Sequence, residues 1–176
     1  MVVIHDKKFR KFISSQKIQK TIAVIARKIN KDFKNENPVF LSVLNGSFLF
    51  TADLLKKVKV DCEVSFIKVA SYSGIRSTGN LNTLIGVNEN LKRKNIVILE
   101  DIIDSGNTIE KVMLELKKHD PQKISIATLL FKSGAYKKRL KIDYIGMEVP
   151  NDFLVGYGLD YDGLGRNLSD IYILKS

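Results

Sequence analysis

The chain has 176 residues, of which 44% are hydrophobic and 27% charged, and its formal net charge is +10. This length and composition fit one globular domain over residues 1–176 and exclude a disordered or fibrous protein. A single cysteine, Cys62, excludes an internal disulfide and a Cys/His zinc cluster, and no apolar run approaches the roughly 20 residues of a spanning helix. We therefore expect a cytoplasmic protein without a signal peptide or a membrane partner.

The first predicted element is a basic helix. Residues 1–34 carry ten Lys or Arg against two acids, which places +8 of the net charge there. Apolar side chains recur at every third or fourth position of residues 15–34, at Ile18, Ile22, Ile25, Ile29 and Phe33. This spacing predicts an amphipathic helix with lysines on its solvent face. Because this predicted helix carries no stripe of aromatic side chains among its lysines, a solvated face is favoured over a nucleic-acid surface.

Predicted strands and helices alternate along the rest of the chain. Strands are predicted over 38–44, 62–70, 83–87, 95–101, 123–131, 144–149, 153–158 and 170–174, and helices over 48–58 and 108–120. This order predicts an α/β fold with an open, mostly parallel sheet flanked by helices. In such sheets ligands bind beyond the carboxyl ends of the strands. The polar segment 71–80 has the length of a binding loop or lid.

The segment "ILEDIIDSGNTI", residues 98–109, combines an apolar strand with three acids and a small, hydroxyl-rich turn. A turn that opens a helix presents backbone N–H groups to an anion, and Gly106 permits close approach to a phosphate. Ser105 or Thr108 could instead serve only as a helix cap. That alternative leaves the adjacent acids Glu100 and Asp101 unexplained, whereas carboxylates are suited to Mg²⁺ or to sugar hydroxyls. Together with Asp104, these features match the parts of a ribose 5-phosphate.

The same segment resembles the motif with which type I phosphoribosyltransferases bind 5-phosphoribosyl 1-pyrophosphate (PRPP). Three further segments resemble the pyrophosphate loop, the lid, and the base and metal segment of the hypoxanthine-guanine branch: residues 43–55, 71–80 and 153–168. The resemblance covers most of residues 38–174 in the same order. It implies the type I fold, with a small hood formed by N- and C-terminal segments.

The resemblance also implies an activity. The phosphoribosyl group of PRPP would pass to hypoxanthine, and to guanine, giving IMP or GMP plus pyrophosphate, with Mg²⁺ as cofactor and a homo-oligomer, dimer or tetramer, as the assembly. Two alternatives stay open: a xanthine-preferring relative, and a PRPP-sensing regulator that binds nucleic acid through the basic helix.

The implied roles in the sugar and metal sites begin with the motif itself. The ribose and PRPP contacts are Glu100, Asp101, Asp104, Ser105, Gly106, Asn107 and Thr108. Within that set, Asp104 is implied to be the general base toward the purine N7 or N9 proton. Magnesium contacts are implied for Glu100, Asp101 and, in the C-terminal segment, Asp160.

The implied pyrophosphate contacts come from the backbone of residues 44–47 and from Arg166. Leu44, Asn45 and Gly46 form the loop, with a cis peptide bond between the first two. Ser71 and Tyr72 would contact the same group from a mobile lid over residues 71–81. The family usually has Lys or Arg at the position of Asn45, and frequently Lys at that of Asn107, so two cations are missing here.

The implied base site lies outside the motif. Lys132 would donate to the purine 6-oxo group, Phe153 would stack on the ring, and the backbone of Leu154 would contact the base edge. From pattern alone, a solvated lysine at a strand end is the favoured interpretation of Lys132, and Phe153 is as often a core residue as a stacking one. Asp160 and Arg166 could instead be solvated loop residues, an alternative that their Gly-rich setting weakens.

Overall fold

The computed structural model describes residues 1–69, 83–85 and 90–175, with the backbone only for 83–85. Within these ranges the elements are β1 Val2–Ile4, β2 Lys7–Ile13, α1 Ser15–Asp32, β3 Val39–Leu44, α2 Phe48–Leu55, β4 Glu63–Val69, β5 Thr83–Ile85, β6 Asn95–Ile103, α3 Asn107–Lys117, β7 Lys123–Phe131, β8 Tyr144–Glu148, β9 Leu154–Val155 and β10 Ile171–Leu174. The three helices end two or three residues before their predicted limits. The predicted lid at 71–81 lies outside the described residues.

Six strands form the main sheet in the order β5-β4-β3-β6-β7-β8. Five neighbouring strands run parallel to one another: β4, β3, β6, β7 and β8. The edge strand β5 is antiparallel to β4. The expectation of an open, mostly parallel sheet is therefore confirmed. Because parallel strands share one carboxyl edge, the ends of β3, β6 and β7 meet there, at Leu44, Ile103 and Phe131.

The helices cover both faces of this sheet. The isoleucines of α1 are buried in one core cluster with α2 and with Phe40 of β3. Leu41, the next residue of β3, belongs to a second cluster with α3. Successive strand residues point to opposite faces, so α1 and α2 lie on one side and α3 on the other. None of these helices combines the length and apolar character that a membrane crossing requires.

A second, antiparallel sheet forms the hood, with the order β1-β2-β10-β9. It joins the two ends of the chain, since Phe9 of β2 lies opposite Leu174 of β10. The sequence pattern did not predict β1 and β2, because only Phe9 and Ile13 of the seven residues in β2 are buried. The second pairing partner of β2 is β10, which lies more than 150 residues away, where no local pattern reveals it.

Candidate active site

Four segments that are distant in sequence line one open cleft at the carboxyl edge of the main sheet. Its volume is about 260 Å³, and its walls are formed by Gly46, Asp101, Ile102, Asp104, Lys132, Phe153, Leu154, Leu159, Asp160 and Arg166. Eight of these ten residues are sequence-predicted site residues. Ile102 and Leu159 were not predicted, because nothing in a local apolar pattern distinguishes the floor of a cleft from core.

The acid pair lies deep in this region, within β6 rather than after it. Glu100 and Asp101 are each only 8% exposed. Asp101 Oδ1 accepts a hydrogen bond from the N–H of Ile102 at 2.9 Å, whereas Glu100 Oε2 has no hydrogen-bond partner among the described residues. Burial raises the pKa of Asp101 to about 6, and burial together with the charge of Asp101 raises the pKa of Glu100 well above its ordinary range.

Neither carboxyl group forms a salt bridge with a cation in the part of the chain that the structure describes. Such buried carboxyl groups are costly, so they indicate a ligand that supplies hydrogen-bond donors or positive charge. Among the described residues, no group of three or more His, Cys, Asp or Glu is arranged to hold a metal ion. Carboxylate oxygens such as those of the acid pair are the ligands that Mg²⁺ prefers.

Asp104 and Lys132 form an ion pair at the mouth of the cleft. Asp104 Oδ2 lies 2.8 Å from Lys132 Nζ, and the Lys132 side chain is only 10% exposed whereas that of Asp104 is 55% exposed. The backbone N–H of Lys132 donates to the carbonyl oxygen of Ile103 at 2.9 Å, which holds the lysine against β6. A buried cation therefore lies beside an accessible carboxylate, and both line the cleft.

The turn after β6 forms a smaller pocket of about 80 Å³. It is lined by Glu100, Ile102, Ile103, Asp104, Ser105, Gly106, Asn107, Thr108 and Ile109. The cap of α3 is Gly106, with a φ of 86°, and no side chain caps this helix. Neither Ser105 nor Thr108 is a helix cap, so the alternative that this turn only caps the helix is wrong. The pocket opens onto the first turn of α3, where N–H groups and the helix dipole favour an anion.

The loop after β3 approaches the acid pair closely. The peptide bond between Leu44 and Asn45 is cis. A Cβ atom added to Gly46 would overlap the carboxylate of Asp101, and one added to Gly158 would overlap the carbonyl oxygen of Gly46. Glycine is therefore required at both positions, because the loop backbone lies between the acid pair and the C-terminal segment.

In the C-terminal segment, Asp160 and Arg166 form a salt bridge, with 2.7 Å between Oδ1 and Nη2. Arg166 Nη1 also donates to the carbonyl oxygen of Gly158 at 2.6 Å. This places the guanidinium group beside the loop that contains Gly46. Both side chains are thus part of an ordered arrangement rather than solvated loop residues.

Phe153 is 44% exposed, and its ring lines the cleft. It packs edge-on against Tyr161, with ring centroids 5.7 Å apart and an angle of 81° between the planes. Leu154, the first residue of β9, is buried beside it. Phe153 is therefore not a core residue, and a large face of its ring is available to a flat ligand. Ser71 and Tyr72, predicted in the lid, lie outside the described residues.

A family model described as phosphoribosyl transferase domain matches residues 12–162. The chain belongs to the phosphoribosyl transferase family. The hypoxanthine phosphoribosyltransferase of Buchnera aphidicola is 38% identical over 152 residues, which cover 85% of this chain and 86% of that protein. The enzyme of the same name from Escherichia coli K12 is 38% identical over 159 residues, or 89% of each chain.

Membership in the family is supported equally by structure. A hypoxanthine-guanine phosphoribosyltransferase of Bacillus anthracis superposes with a TM-score of 0.88 at 35% identity, covering 97% of this chain and 98% of that one. The type I fold expected from the motif is therefore confirmed, including the hood.

Proposed function

We propose that this enzyme transfers the 5-phosphoribosyl group of PRPP to N9 of hypoxanthine, and of guanine, forming IMP or GMP and pyrophosphate in purine salvage. The observation that carries the proposal is the cleft itself. It joins a buried acid pair and an Asp–Lys pair beside a half-exposed aromatic ring, and an anion pocket opens next to it at a helix start. The relatives named hypoxanthine phosphoribosyltransferase support hypoxanthine as the acceptor. With one cysteine and no internal disulfide, the chain is assigned to the cytoplasm.

The sugar phosphate of PRPP is bound by the segment around α3. The 5-phosphate accepts hydrogen bonds from backbone N–H groups of residues 105–108, with Ser105 and Thr108 as additional hydroxyl donors. Glu100 and Asp101 accept hydrogen bonds from the ribose 2′ and 3′ hydroxyls. This contact gives the unpartnered Glu100 Oε2 a donor.

Glu100, Asp101 and Asp160 are the residues that would hold Mg²⁺, which neutralises part of the pyrophosphate charge when bound. The fit rests on the burial of this acid pair and on Glu100 Oε2, which has no hydrogen-bond partner among the described residues. Asp160 is partly exposed and lines the same cleft as Asp101.

Pyrophosphate is bound by the backbone of residues 44–46 and by Arg166, whose planar guanidinium group can donate two parallel hydrogen bonds. Asn45 adds no charge, so the loop contributes through its backbone. The same holds for Asn107 in the phosphate turn.

The transfer breaks the bond between C1′ and the pyrophosphate oxygen and forms a bond between C1′ and N9. The bonding electrons leave with pyrophosphate, and the purine proton passes to the Asp104 carboxylate. Positive charge develops on the ribose ring in the transition state, as in other glycosyl transfers, and nearby carboxylates stabilise it. Lys132 donates to the purine 6-oxo group, an acceptor that adenine lacks, while Phe153 stacks on the ring. The backbone of Leu154 contacts the base edge.

A spectrophotometric assay with PRPP, Mg²⁺ and each of hypoxanthine, guanine, xanthine and adenine tests the proposal. We expect turnover with the first two and none with adenine. Absence of turnover with both hypoxanthine and guanine would overturn it. A higher kcat/KM for xanthine would assign the chain to the xanthine-preferring alternative.

We also propose that the enzyme is a homo-oligomer and that β4 contributes to its interface. Val64 and Phe66 of β4 lie opposite Phe40 and Ser42 of β3, so they point toward the face that carries α1 and α2. Each is nevertheless 40% exposed. Two adjacent apolar side chains that the helices leave uncovered suit contact with a second copy of the chain.

We expect Phe66→Asp to lower the mass measured by light scattering to that of a smaller assembly, because a carboxylate in an apolar contact is strongly unfavourable. Leu114→Asp is the matched control, since Leu114 is also an exposed apolar residue but lies on α3, on the other face. Equal masses for the two variants would rule out the β4 surface as the interface.

A further inference from the structure

Three buried hydroxyl groups form a chain of hydrogen bonds beneath the pyrophosphate loop. Ser42 Oγ lies 2.7 Å from Ser47 Oγ and 2.8 Å from Thr51 Oγ1, and Ser47 Oγ donates to the carbonyl oxygen of Val43 at 2.5 Å. Ser42, Ser47 and Thr51 are 0%, 0% and 3% exposed. The chain connects β3, the loop and the first turn of α2.

The proton order in this chain follows from the inventory of donors. A hydroxyl group has one proton, and that of Ser47 is used on Val43. Ser42 must then donate to Ser47, and Thr51 must donate to Ser42. Each of the three hydroxyl protons then has an acceptor: Thr51 donates to Ser42, Ser42 to Ser47, and Ser47 to the carbonyl oxygen of Val43.

The chain fixes the two ends of residues 44–46. Val43 and Ser47 are the residues on either side of this loop, and the Ser47 hydroxyl joins them directly. The backbone N–H of Thr51 donates to the carbonyl oxygen of Ser47 at 2.8 Å, which ties the same end of the loop to α2. Movement of the loop backbone would break at least one bond of the chain.

A serine at position 42 is unexpected on packing grounds alone. It interrupts the apolar strand "VFLSVL" at a fully buried position, where an apolar residue would have no desolvation cost. A buried hydroxyl in such a place must be hydrogen-bonded, and its bonds determine local geometry. The hydrogen bonds of these three hydroxyl groups therefore fix the position of the backbone around them.

We propose that Ser42, Ser47 and Thr51 are positioning residues that hold the backbone of residues 44–46 in the geometry that binds pyrophosphate. The inference rests on the proposed role of this loop. The backbone of this loop must be positioned more accurately than in a loop that carries a cation, because Asn45 supplies no charge. The backbone N–H groups must then lie at hydrogen-bond distance from the pyrophosphate oxygens without help from a flexible ammonium or guanidinium group.

The test compares Thr51→Val, which removes the hydroxyl and keeps the shape, with Thr51→Ser, which keeps the hydroxyl and removes a methyl group. For Thr51→Val we expect the KM for PRPP, and for pyrophosphate in the reverse reaction, to rise about tenfold. The KM for hypoxanthine and for IMP should change less than about twofold, since the base site lies elsewhere. Thr51→Ser should retain the parent values. Equal KM increases in both variants, or no increase in either, would overturn the proposal.

Ser47→Ala should have a larger effect than Thr51→Val, because it leaves the Ser42 proton and the Val43 carbonyl oxygen without their partners. Ser125→Ala is the matched control, as Ser125 is a buried hydroxyl on β7, two strands away from β3 in the sheet. Its KM values should all stay at the parent level, and an equal rise in pyrophosphate KM there would contradict the proposal.

Gly46→Ala separates this inference from the proposed role of the loop. Because the added methyl group meets the Asp101 carboxylate, PRPP binding should be lost. If it is retained, the assignment of the loop to pyrophosphate fails, and the inference fails with it. If PRPP binding is lost while Thr51→Val and Ser47→Ala behave as the parent, only the inference fails.

Discussion

Asp104→Asn is expected to lower kcat for IMP formation by about 10²–10⁴-fold, the usual contribution of a positioned general base. Asparagine keeps an oxygen that can accept from Lys132 Nζ, now 2.8 Å from the carboxylate, so the lysine does not lose its partner. It cannot take up the purine proton. Steady-state kinetics should show little change in the KM for PRPP, because the motif contacts to the sugar phosphate remain.

Lys132→Met is the contrasting variant. It leaves the carboxylate and removes the donor to the 6-oxo group, so the KM for hypoxanthine should rise while the KM for PRPP changes little. An unchanged kcat in Asp104→Asn would remove that residue from the role of base. A loss of PRPP affinity alone in Lys132→Met would contradict the placement of this lysine at the purine.

Asp101→Asn is expected to abolish productive PRPP binding and, at the same time, to stabilise the free enzyme. Burial raises the pKa of Asp101 from an ordinary value near 3.8 to about 6. A carboxyl group whose pKa is raised on folding lowers stability once it ionises, so the penalty grows as pH rises from about 4 and is complete above about 6. Its size at pH 7 is about 1–3 kcal/mol, equivalent to roughly 2–10 °C in Tm for a chain of this length.

Thermal unfolding of the ligand-free proteins between pH 4 and 7.5 checks this expectation. The Tm difference between Asp101→Asn and the parent should widen as pH rises and nearly vanish near pH 4. A difference that does not depend on pH would contradict the assignment of the stability cost to the ionised carboxylate.

Asp170→Asn provides a control of opposite sign. The hydrogen bond and ion pair with Lys11, and the hydrogen bond from the backbone N–H of Ser15, lower the pKa of Asp170. Its contribution to stability is therefore present at neutral pH and is lost as pH falls through its lowered pKa. This variant should melt below the parent at pH 7, whereas Asp101→Asn should melt above it.

The segment 98–109 illustrates how much of the site can be predicted from sequence. The residue types and the order of the segment 98–109 were sufficient to predict a ribose-phosphate site. The strand and helix alternation predicted the parallel sheet, and the isoleucine spacing of α1 predicted its buried face. These features are local, since each depends on residues within a few positions of one another.

Other properties depend on residues that only the fold brings together. The pairing of Asp104 with Lys132 spans 28 residues, and the contact of Gly46 with Asp101 spans 55. The hairpin of β1 and β2 has its partner strand at the opposite end of the chain. No periodicity in the sequence encodes such contacts.

The sequence by itself determined the class of fold, the family resemblance, and the chemical groups available for PRPP and a purine. Only the tertiary structure decided that the α3 turn has no side-chain cap and that Phe153 faces the cleft rather than the core. It also decided that burial raises the pKa of Glu100 and Asp101, and that the hydroxyl groups of Ser42, Ser47 and Thr51 form a series of hydrogen bonds beside residues 44–46. The physical reason is that burial, proton affinity and hydrogen-bond order are set by neighbours in space, whereas a sequence pattern reports only neighbours along the chain.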